Sequence, residues 1–454
     1  MSIDSTRLAE LHEAEVARFV ADHPACAALA EAGRAHMPLG VPMSWMAKWP
    51  GGFPVHVAQA TGAHFVCADG LEHVDLCLGD TGAMSGHSPA ATVAAVREQL
   101  GQGITTMLPT ADAAVVAALL TDRFSGPGPA RLTQWQFTLT ATDANRHLLR
   151  YARMVTGRPK VAVIDKCYHG SVDETFATLE DGRVVERRGT IGAPVPPELT
   201  TAVVPFNDLP AMERALATGE IAAVLLEPAM TNIGIVLPDA GYLRGLEESA
   251  RAHGAVLIID ETHTLCVGPG GATAAWGLEP DALVVGKTIG GGIPAAAFGM
   301  TAELADRVAE MIEMEDIDVG GVGGTLAGNA LSLAAIRATL GEVLTPAAFA
   351  AMEELAVAWT DGVQGVLDET GLPWHVTRLG ARAEYAFSSA PPHDGAEAAD
   401  ADDFPLQQYL HLHALNRRVL LTPFHNMALM SPATSRADVD AHTVAFAEAA
   451  RTLR

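Results

Sequence analysis

The strongest constraint on the fold is a series of short apolar runs that contain almost no polar residues. They lie at 161–164, 222–226, 255–259 and 282–285, and helical segments separate them. Runs of this length and composition suit strands that are buried on both faces, as in a parallel sheet whose crossover helices cover it. The sequence therefore predicts an α/β fold with a mostly parallel central sheet.

The length of the chain indicates more than one domain. Its 454 residues exceed the roughly 250 to 300 at which a single core usually stops growing. We expect a large domain at 89–331, and a smaller α+β domain that combines residues 1–88 with residues 332–454. Strands at 374–387 and 419–423 would belong to this smaller domain.

The charge and the cysteine pattern limit the possible partners. Lys and Arg total 29 against 54 Asp and Glu, so the formal net charge is -25, which disfavours nucleic acids and anionic membrane surfaces as partners. No apolar run approaches the roughly 20 residues of a membrane helix, and the first residues do not resemble a secretion signal. The 5 cysteines are scattered. We expect a cytoplasmic protein with reduced thiols and no structural metal site.

Polar residues follow three of the apolar runs. Glu227 follows the second run, Asp260 the third and Lys287 the fourth. Ligands of open parallel sheets bind at the carboxyl ends of strands, and Asp260 and Lys287 are about one strand–helix–strand unit apart. A lysine in this position is more often an ordinary surface residue, but a buried lysine amine becomes a nucleophile when it is deprotonated. The two residues could therefore share one site.

Two other interpretations of this region are weaker. Residues 286–288 (Gly-Lys-Thr) match the end of a phosphate-binding P-loop, but Asp281 stands where that motif requires glycine. Asp260, His263 and Cys266 are three residues apart and could be drawn as metal ligands, yet no fourth ligand is evident. We expect neither a P-loop nor a metal site.

In their order along the chain, these residues resemble the class-III aminotransferases of fold type I. This family of pyridoxal 5′-phosphate (PLP) enzymes includes glutamate-1-semialdehyde aminomutase and the omega-transaminases, and the resemblance runs from about Phe53 to the C-terminus. It implies a large PLP-binding domain, a smaller α+β domain built from both chain ends, and a homodimer with shared active sites. It also implies that Lys287 holds PLP as a Schiff base and moves protons, while Asp260 pairs with the pyridine nitrogen.

The resemblance implies further contacts to the cofactor and the substrate. Thr140, Ala141 and Thr142 would bind the phosphate at a helix start, where similar proteins have glycine in place of Ala141. The N–H group of Ala141 can serve if its φ is negative. The other implied contacts are Tyr168 stacked on the ring, Thr262 beneath it, Glu227 near the 3′-oxygen, Thr325 on the phosphate of the neighbouring subunit, Arg382 (or Arg378) on a substrate carboxylate, and Trp45 beside the substrate.

This resemblance predicts a ping-pong aminotransferase. An amine donor would leave its amino group on the cofactor, and an oxo acid such as pyruvate would then accept it. The alternative is an aminomutase, in which one substrate molecule both receives and donates an amino group. A catalytically silent PLP-binding protein is disfavoured because Lys287 and Asp260 are both present.

Overall fold

A computed structural model describes residues 4–125, 131–312 and 321–454. The chain forms two compact units, which we call the terminal unit and the central unit. The terminal unit comprises Met1–Pro89, Ala350–Pro391 and Ala401–Arg454, and the central unit comprises Ala90–Phe349 and Pro392–Asp400.

Strands and helices alternate along most of the described chain. The strands are β1 (Val57–Thr61), β2 (His64–Cys67), β3 (Glu72–Asp75), β4 (Leu132–Thr138), β5 (Lys160–Ile164), β6 (Ala177–Glu180), β7 (Arg183–Glu186), β8 (Thr201–Val204), β9 (Ile221–Leu226), β10 (Val256–Asp260), β11 (Ala282–Val285), β12 (Ala296–Thr301), β13 (His375–Leu379), β14 (Arg382–Ala386), β15 (Val419–Leu420) and β16 (Met427–Leu429). The α-helices are α1 (Ser5–Asp22), α2 (Pro24–Arg34), α3 (Ala90–Leu100), α4 (Ala111–Phe124), α5 (Ala141–Thr156), α6 (Leu209–Leu216), α7 (Tyr242–His253), α8 (Gly271–Trp276), α9 (Ala302–Met311), α10 (Ala330–Ala338), α11 (Pro346–Thr370), α12 (Gly395–Asp400), α13 (Phe404–Asn416) and α14 (Arg436–Thr452).

The central unit is built on a seven-stranded sheet with the order β4-β12-β11-β10-β9-β5-β8. Strands β8, β5, β9, β10 and β11 run parallel, while β12 runs antiparallel to both β11 and β4. Every residue of β9, β10 and β11 is buried, because helices such as α5 and α7 pack against the sheet. The prediction of a mostly parallel sheet with fully apolar strands is confirmed.

Residues 332–349 belong to the central unit, whereas the predicted domain boundary lay at residue 331. Their helix α10 packs against α3 and α4, so it continues the central core past that point. The Thr92 and Thr339 hydroxyls are 2.8 Å apart in the same buried region, and the Arg123 guanidinium donates to the carbonyl oxygen of Leu344 at 2.7 Å. These contacts fix the segment after α10 to the central unit.

The terminal unit combines strands from both parts of the chain. Its four-stranded sheet has the order β1-β2-β3-β15, and its antiparallel three-stranded sheet has the order β13-β14-β16. Helix α1 packs against α13, close to the C-terminal end of the sequence. Among the described residues, no single helix has the length and hydropathy needed to cross a membrane; the bent pair Ala330–Val343 and Pro346–Thr370 meets both criteria only when taken together.

Candidate active site

The start of α5 offers donors for an anionic group. Thr140 is the N-cap residue, and its hydroxyl accepts a hydrogen bond from the Asp143 N–H at 3.2 Å and donates to the Asp143 carboxylate at 2.9 Å. Ala141 opens the helix with negative φ, so its N–H meets the condition set for an anion cradle. First-turn N–H groups have no acceptor within their helix and lie at its positive end. The segment 140–142 can therefore bind a phosphate.

The backbone that carries Lys287 contacts this helix start. A Cβ placed on Gly286 would lie 3.1 Å from the Cβ and 3.3 Å from the backbone nitrogen of Ala141, so glycine permits the close approach. Lys287 itself has φ 51°, in the left-handed region. Such a conformation costs a non-glycine residue of order 1–3 kcal/mol. The predicted phosphate cradle and the predicted Schiff-base lysine thus lie side by side.

A chain of hydrogen bonds leads from Lys287 to a buried carboxylate. The Lys287 amine contacts Nε2 of His263, and Nδ1 of His263 lies 2.7 Å from the Thr231 hydroxyl. Thr231 in turn donates to the Glu227 carboxylate. From the sequence, His263 was a candidate metal ligand only, and Thr231 was not among the predicted site residues. The sequence feature that could have identified His263 as a site residue is its position three residues after Asp260, where β10 ends.

Asp260 is the centre of a second buried polar group. Its carboxylate accepts hydrogen bonds from Nδ1 of His169 and from the Asn145 amide, both at 2.9 Å, and from the Thr262 N–H at 3.0 Å. Burial alone would raise the pKa of Asp260, but the hydrogen bond and charge of His169, with the two other donors, lower it to about 2. Asp260 is therefore ionised at neutral pH. Neither Asn145 nor His169 was among the site residues predicted from the sequence.

The pairing with Asp260 also changes the pKa of His169. Burial lowers the pKa of this imidazole, but the Cys167 side chain and the Asp260 carboxylate outweigh burial and raise the pKa well above its ordinary value. His169 is fully enclosed, and Tyr168 beside it is 42% exposed. An exposed ring next to a buried imidazolium–carboxylate pair is available to cover a flat ligand, although the stacking role of Tyr168 stays a prediction.

The loop after Tyr168 is fastened to the start of α5. The Thr142 hydroxyl accepts a hydrogen bond from the Ser171 N–H at 3.1 Å. Gly170 has φ 80°, and a Cβ at this position would lie only 2.1 Å from the Thr142 hydroxyl oxygen. Both the backbone conformation and the available space therefore require glycine.

We expect Gly170→Ala to destabilise the protein by about 2 kcal/mol or more, since left-handed strain and overpacking add at this site. Gly182→Ala is the matched control, because Gly182 has φ 73° but no heavy atom within 4 Å of the added Cβ. It should lose only about 1 kcal/mol. Thermal unfolding of both variants measures the difference, and equal losses would show that contact with Thr142 is unimportant.

The arrangement fits the PLP group implied by the sequence. The N–H groups at 140–142 suit a phosphate, the Asp260 anion suits a protonated ring nitrogen, and Lys287 suits an aldehyde carbon. Among the described residues, the hydroxyls of Thr262 and Thr288 are buried and have no hydrogen-bond partner, which native proteins rarely tolerate unless a ligand or water supplies one. These residues could therefore hold PLP.

Arg382 and Trp45 lie in the terminal unit. Arg382 is 1% exposed; it donates to the Thr81 hydroxyl at 2.6 Å and lies 3.8 Å from an Asp80 carboxylate oxygen, so its guanidinium already has partners. The alternative, Arg378, is paired with Glu353 at 2.8 Å. The carboxylate-binding role of either arginine stays a prediction.

Trp45 borders a cavity of about 320 Å³ inside the terminal unit. The tryptophan is 45% exposed and lies near Phe424, with their ring centroids 6.3 Å apart. The polar part of the lining includes Asp75 and His87, which are 2.7 Å apart. Most of the wall is apolar, with the side chains of Val41, Trp49, Val55, Phe65 and Leu420.

Three groups of the kind that bind metals also meet in the terminal unit. The thiols of Cys26 and Cys67 and the Asp69 carboxylate place one atom each within 4.8 Å of the others. The Asp69 oxygens already accept from the N–H groups of Ala25 and Cys26, at 2.6 and 3.1 Å, and so cap the start of α2. Burial raises the pKa of the Cys26 thiol to about 12. These contacts give the cluster a structural explanation.

Known proteins resemble the chain over most of its length. The family model of class-III aminotransferases matches residues 45–431. The glutamate-1-semialdehyde 2,1-aminomutase of Anaeromyxobacter dehalogenans is 33% identical over 414 residues, which cover 89% of this chain and 93% of that relative. A crystal structure of a glutamate-1-semialdehyde aminomutase from Pseudomonas aeruginosa PAO1 matches with a TM-score of 0.96 and 46% identity over 100% of both chains.

Two further structures extend the comparison. A variant of the P. aeruginosa protein with one lysine replaced by alanine has been solved in complex with PMP. An omega-transaminase from Sphaerobacter thermophilus matches with a TM-score of 0.85 and 31% identity, covering 96% of this chain and 99% of that one. With the fold-type I architecture and the PLP-compatible cluster, these similarities confirm the family predicted from the sequence. The chain belongs to the class-III aminotransferases and is a PLP-dependent enzyme of that family.

Proposed function

We propose that the protein is an aminomutase that acts on glutamate-1-semialdehyde or a close relative of it. The observation that carries this proposal is the likeness to the P. aeruginosa aminomutase, at 46% identity over the full length of both chains. The curated relatives at 33% identity bear the same activity in their names. These similarities support the aminomutase, which the sequence analysis ranked second, better than transfer to pyruvate.

In this proposal, different residues of the central unit have different roles in the reaction. PLP supplies an electron sink for the negative charge that develops when the substrate carbon loses a proton. Lys287 would take that proton from the substrate carbon and deliver it to the aldehyde-derived carbon of the cofactor, which requires a free amine after the end of β11. Asp260 stays ionised because of its three hydrogen bonds, so it can keep the ring nitrogen protonated. The α5 start at 140–142 holds the phosphate.

Transfer between two molecules is the second candidate, and two observations favour it. The first is the 31% identity to an omega-transaminase over 96% of the chain. The second is the lining of the cavity beside Trp45, where Trp49 and Phe65 offer an apolar wall that suits a hydrophobic amine better than a short polar aldehyde. If Trp45 borders the substrate, as predicted, this lining would favour an apolar donor.

Product analysis separates the two activities. We expect the PLP-loaded enzyme to convert glutamate-1-semialdehyde to the isomer with the amino group on the other carbon, with no oxo acid added and none consumed. Chromatography of the products with and without pyruvate measures this, and Lys287→Ala provides the inactive control. If the isomer never forms, and an amine panel reacts only when pyruvate or 2-oxoglutarate is present, the aminomutase proposal fails and the transaminase is supported.

We further propose that the enzyme is a homodimer in which Thr325 reaches the phosphate of the partner subunit. Thr325 is exposed, and its hydroxyl makes no hydrogen bond within the described parts of the chain. An exposed hydroxyl in a glycine-rich loop suits a contact across a two-fold axis. Light scattering on the loaded enzyme tests the dimer, and a monomer that retains PLP at the same affinity would contradict the shared site.

A further inference from the structure

The hydrogen bonds around His263 determine which of its ring nitrogens carries a proton. Glu227 is 5% exposed, and its carboxylate, once ionised, can only accept hydrogen bonds. Thr231 must therefore donate its hydroxyl proton to Glu227, which leaves the Thr231 oxygen as an acceptor for His263. Since Nδ1 of His263 faces that oxygen, Nδ1 carries the hydrogen.

The remaining nitrogen of the ring then has a lone pair. Nε2 of His263 faces the Lys287 amine, so the imidazole can only accept a proton from the lysine in this arrangement. His263 is 8% exposed and Thr231 is 1% exposed, which excludes bulk water from most of the chain of contacts. The order Lys287, His263, Thr231, Glu227 resembles a general base oriented by a buried carboxylate.

We propose that His263 is the proton acceptor that converts the Lys287 ammonium to the free amine. In this step one N–H bond of the Lys287 ammonium breaks and one N–H bond forms at Nε2 of His263. The imidazole becomes an imidazolium, and no electrons are exchanged with any other group. Glu227, 3.9 Å from Nδ1 and linked to it through Thr231, stabilises the new positive charge.

The position of the relay suits this role. Thr231 and Glu227 follow β9, His263 follows β10 and Lys287 follows β11, so neighbouring parallel strands bring the groups to one edge of the sheet. The other charged pair of this region, Asp260 with His169, is bound to Asn145 and to the Thr262 N–H. The proposal rests on Lys287 being the PLP lysine, but its chemistry can be tested without PLP.

Labelling of the cofactor-free, full-length protein tests the relay directly. An acylating reagent such as acetic anhydride reacts with the neutral amine of a lysine and not with its ammonium form, so mass spectrometry of the Lys287 peptide reports how readily this lysine reacts as a free amine. We expect His263→Gln to lower the Lys287 labelling rate at neutral pH by about 10²-fold, because glutamine can accept a hydrogen bond but cannot take up the proton.

Thr231→Val tests the link to Glu227 with little change in side-chain shape. We expect a smaller decrease, about 10-fold, and no further loss when it is combined with His263→Gln, because both act through the same contact. A purely structural role would instead give additive losses. His393→Gln is the control, since His393 is exposed and pairs with Asp239 on the surface.

Binding of added PLP supplies a second readout, through the rise of near-visible absorbance after mixing. We expect His263→Gln to slow this rise while the final absorbance approaches that of the wild type. Unchanged Lys287 labelling in folded His263→Gln and Thr231→Val proteins would overturn the relay. If the wild type captures no PLP but its Lys287 labelling depends on His263, the relay stands and the PLP role of Lys287 falls.

Discussion

The Lys287→Ala variant is expected to lose both catalysis and the near-visible absorbance of a cofactor attached to the protein. Lys287 is the amine at the end of β11, beside the α5 start and in contact with His263. Alanine can neither bond to an aldehyde nor transfer a proton. General acid–base catalysis by one residue contributes about 10² to 10⁴-fold, and the loss of attachment adds to this, so residual activity should be near background.

Two companion variants identify the cause of that loss. Lys287→Arg keeps a positive charge, but a guanidinium stays protonated, so it should be as inactive as Lys287→Ala. Lys160→Ala removes a lysine that pairs with Glu220 at 2.9 Å, at the start of β5, and should keep full activity. Absorption spectra and turnover of the three folded proteins show whether the loss of activity comes from the missing amine of Lys287. Normal absorbance and turnover in Lys287→Ala would remove Lys287 from the mechanism.

The Asp260→Asn variant is expected to lose about 10²-fold or more in turnover, the usual cost of removing one preorganised electrostatic contact from a reaction centre. Asparagine keeps the size of the side chain but not its charge, so neither a protonated ring nitrogen nor the His169 imidazolium would have an anionic partner. Asp281→Asn is the matched control. Asp281 is a half-buried aspartate that immediately precedes β11, at the opposite edge of the sheet, and desolvation raises its pKa.

The same residue gives a pH dependence of stability. The pKa of Asp260 is lowered from 3.8 to about 2 in the folded protein, so its carboxylate stabilises the fold fully above pH 3.8 and loses this contribution as the pH falls towards 2. Asp260→Asn should therefore flatten the acid limb of the unfolding curve, while Asp281→Asn should not. Urea unfolding at several acidic pH values measures this, and parallel acid limbs for wild type and Asp260→Asn would contradict it.

The sequence was most informative about features that depend on a single strand or helix, such as the positions of the buried strands. The apolar runs predicted the central strands because a parallel strand is buried on both faces, and β11 coincides with the predicted run. Asp260 and Lys287 were found because the carboxyl ends of parallel strands share one edge.

The sequence was least informative where side chains from distant segments meet. The contact of His263 with Lys287 depends on the register of two strands and on a rotamer, and neither can be read from residue types. The partners of Arg382, Asp80 and Thr81, lie about 300 positions earlier in the chain, so residue types alone could not identify them. The structure divides the chain after Phe349 and not at residue 331, because α10 has the composition expected of either unit and only its packing on α3 and α4 assigns it to the central unit.

The left-handed backbone of Lys287 sets the stability of the fold against the catalytic function of the side chain at this position. Glycine adopts φ 51° without steric penalty, and lysine does not. Selection for thermal stability alone would thus favour glycine at residue 287, and every substitution that relieves the strain discards the amine. A search for stabilising replacements should therefore find one of its best-scoring sites at the residue on which the reaction depends, and it should leave that residue unchanged.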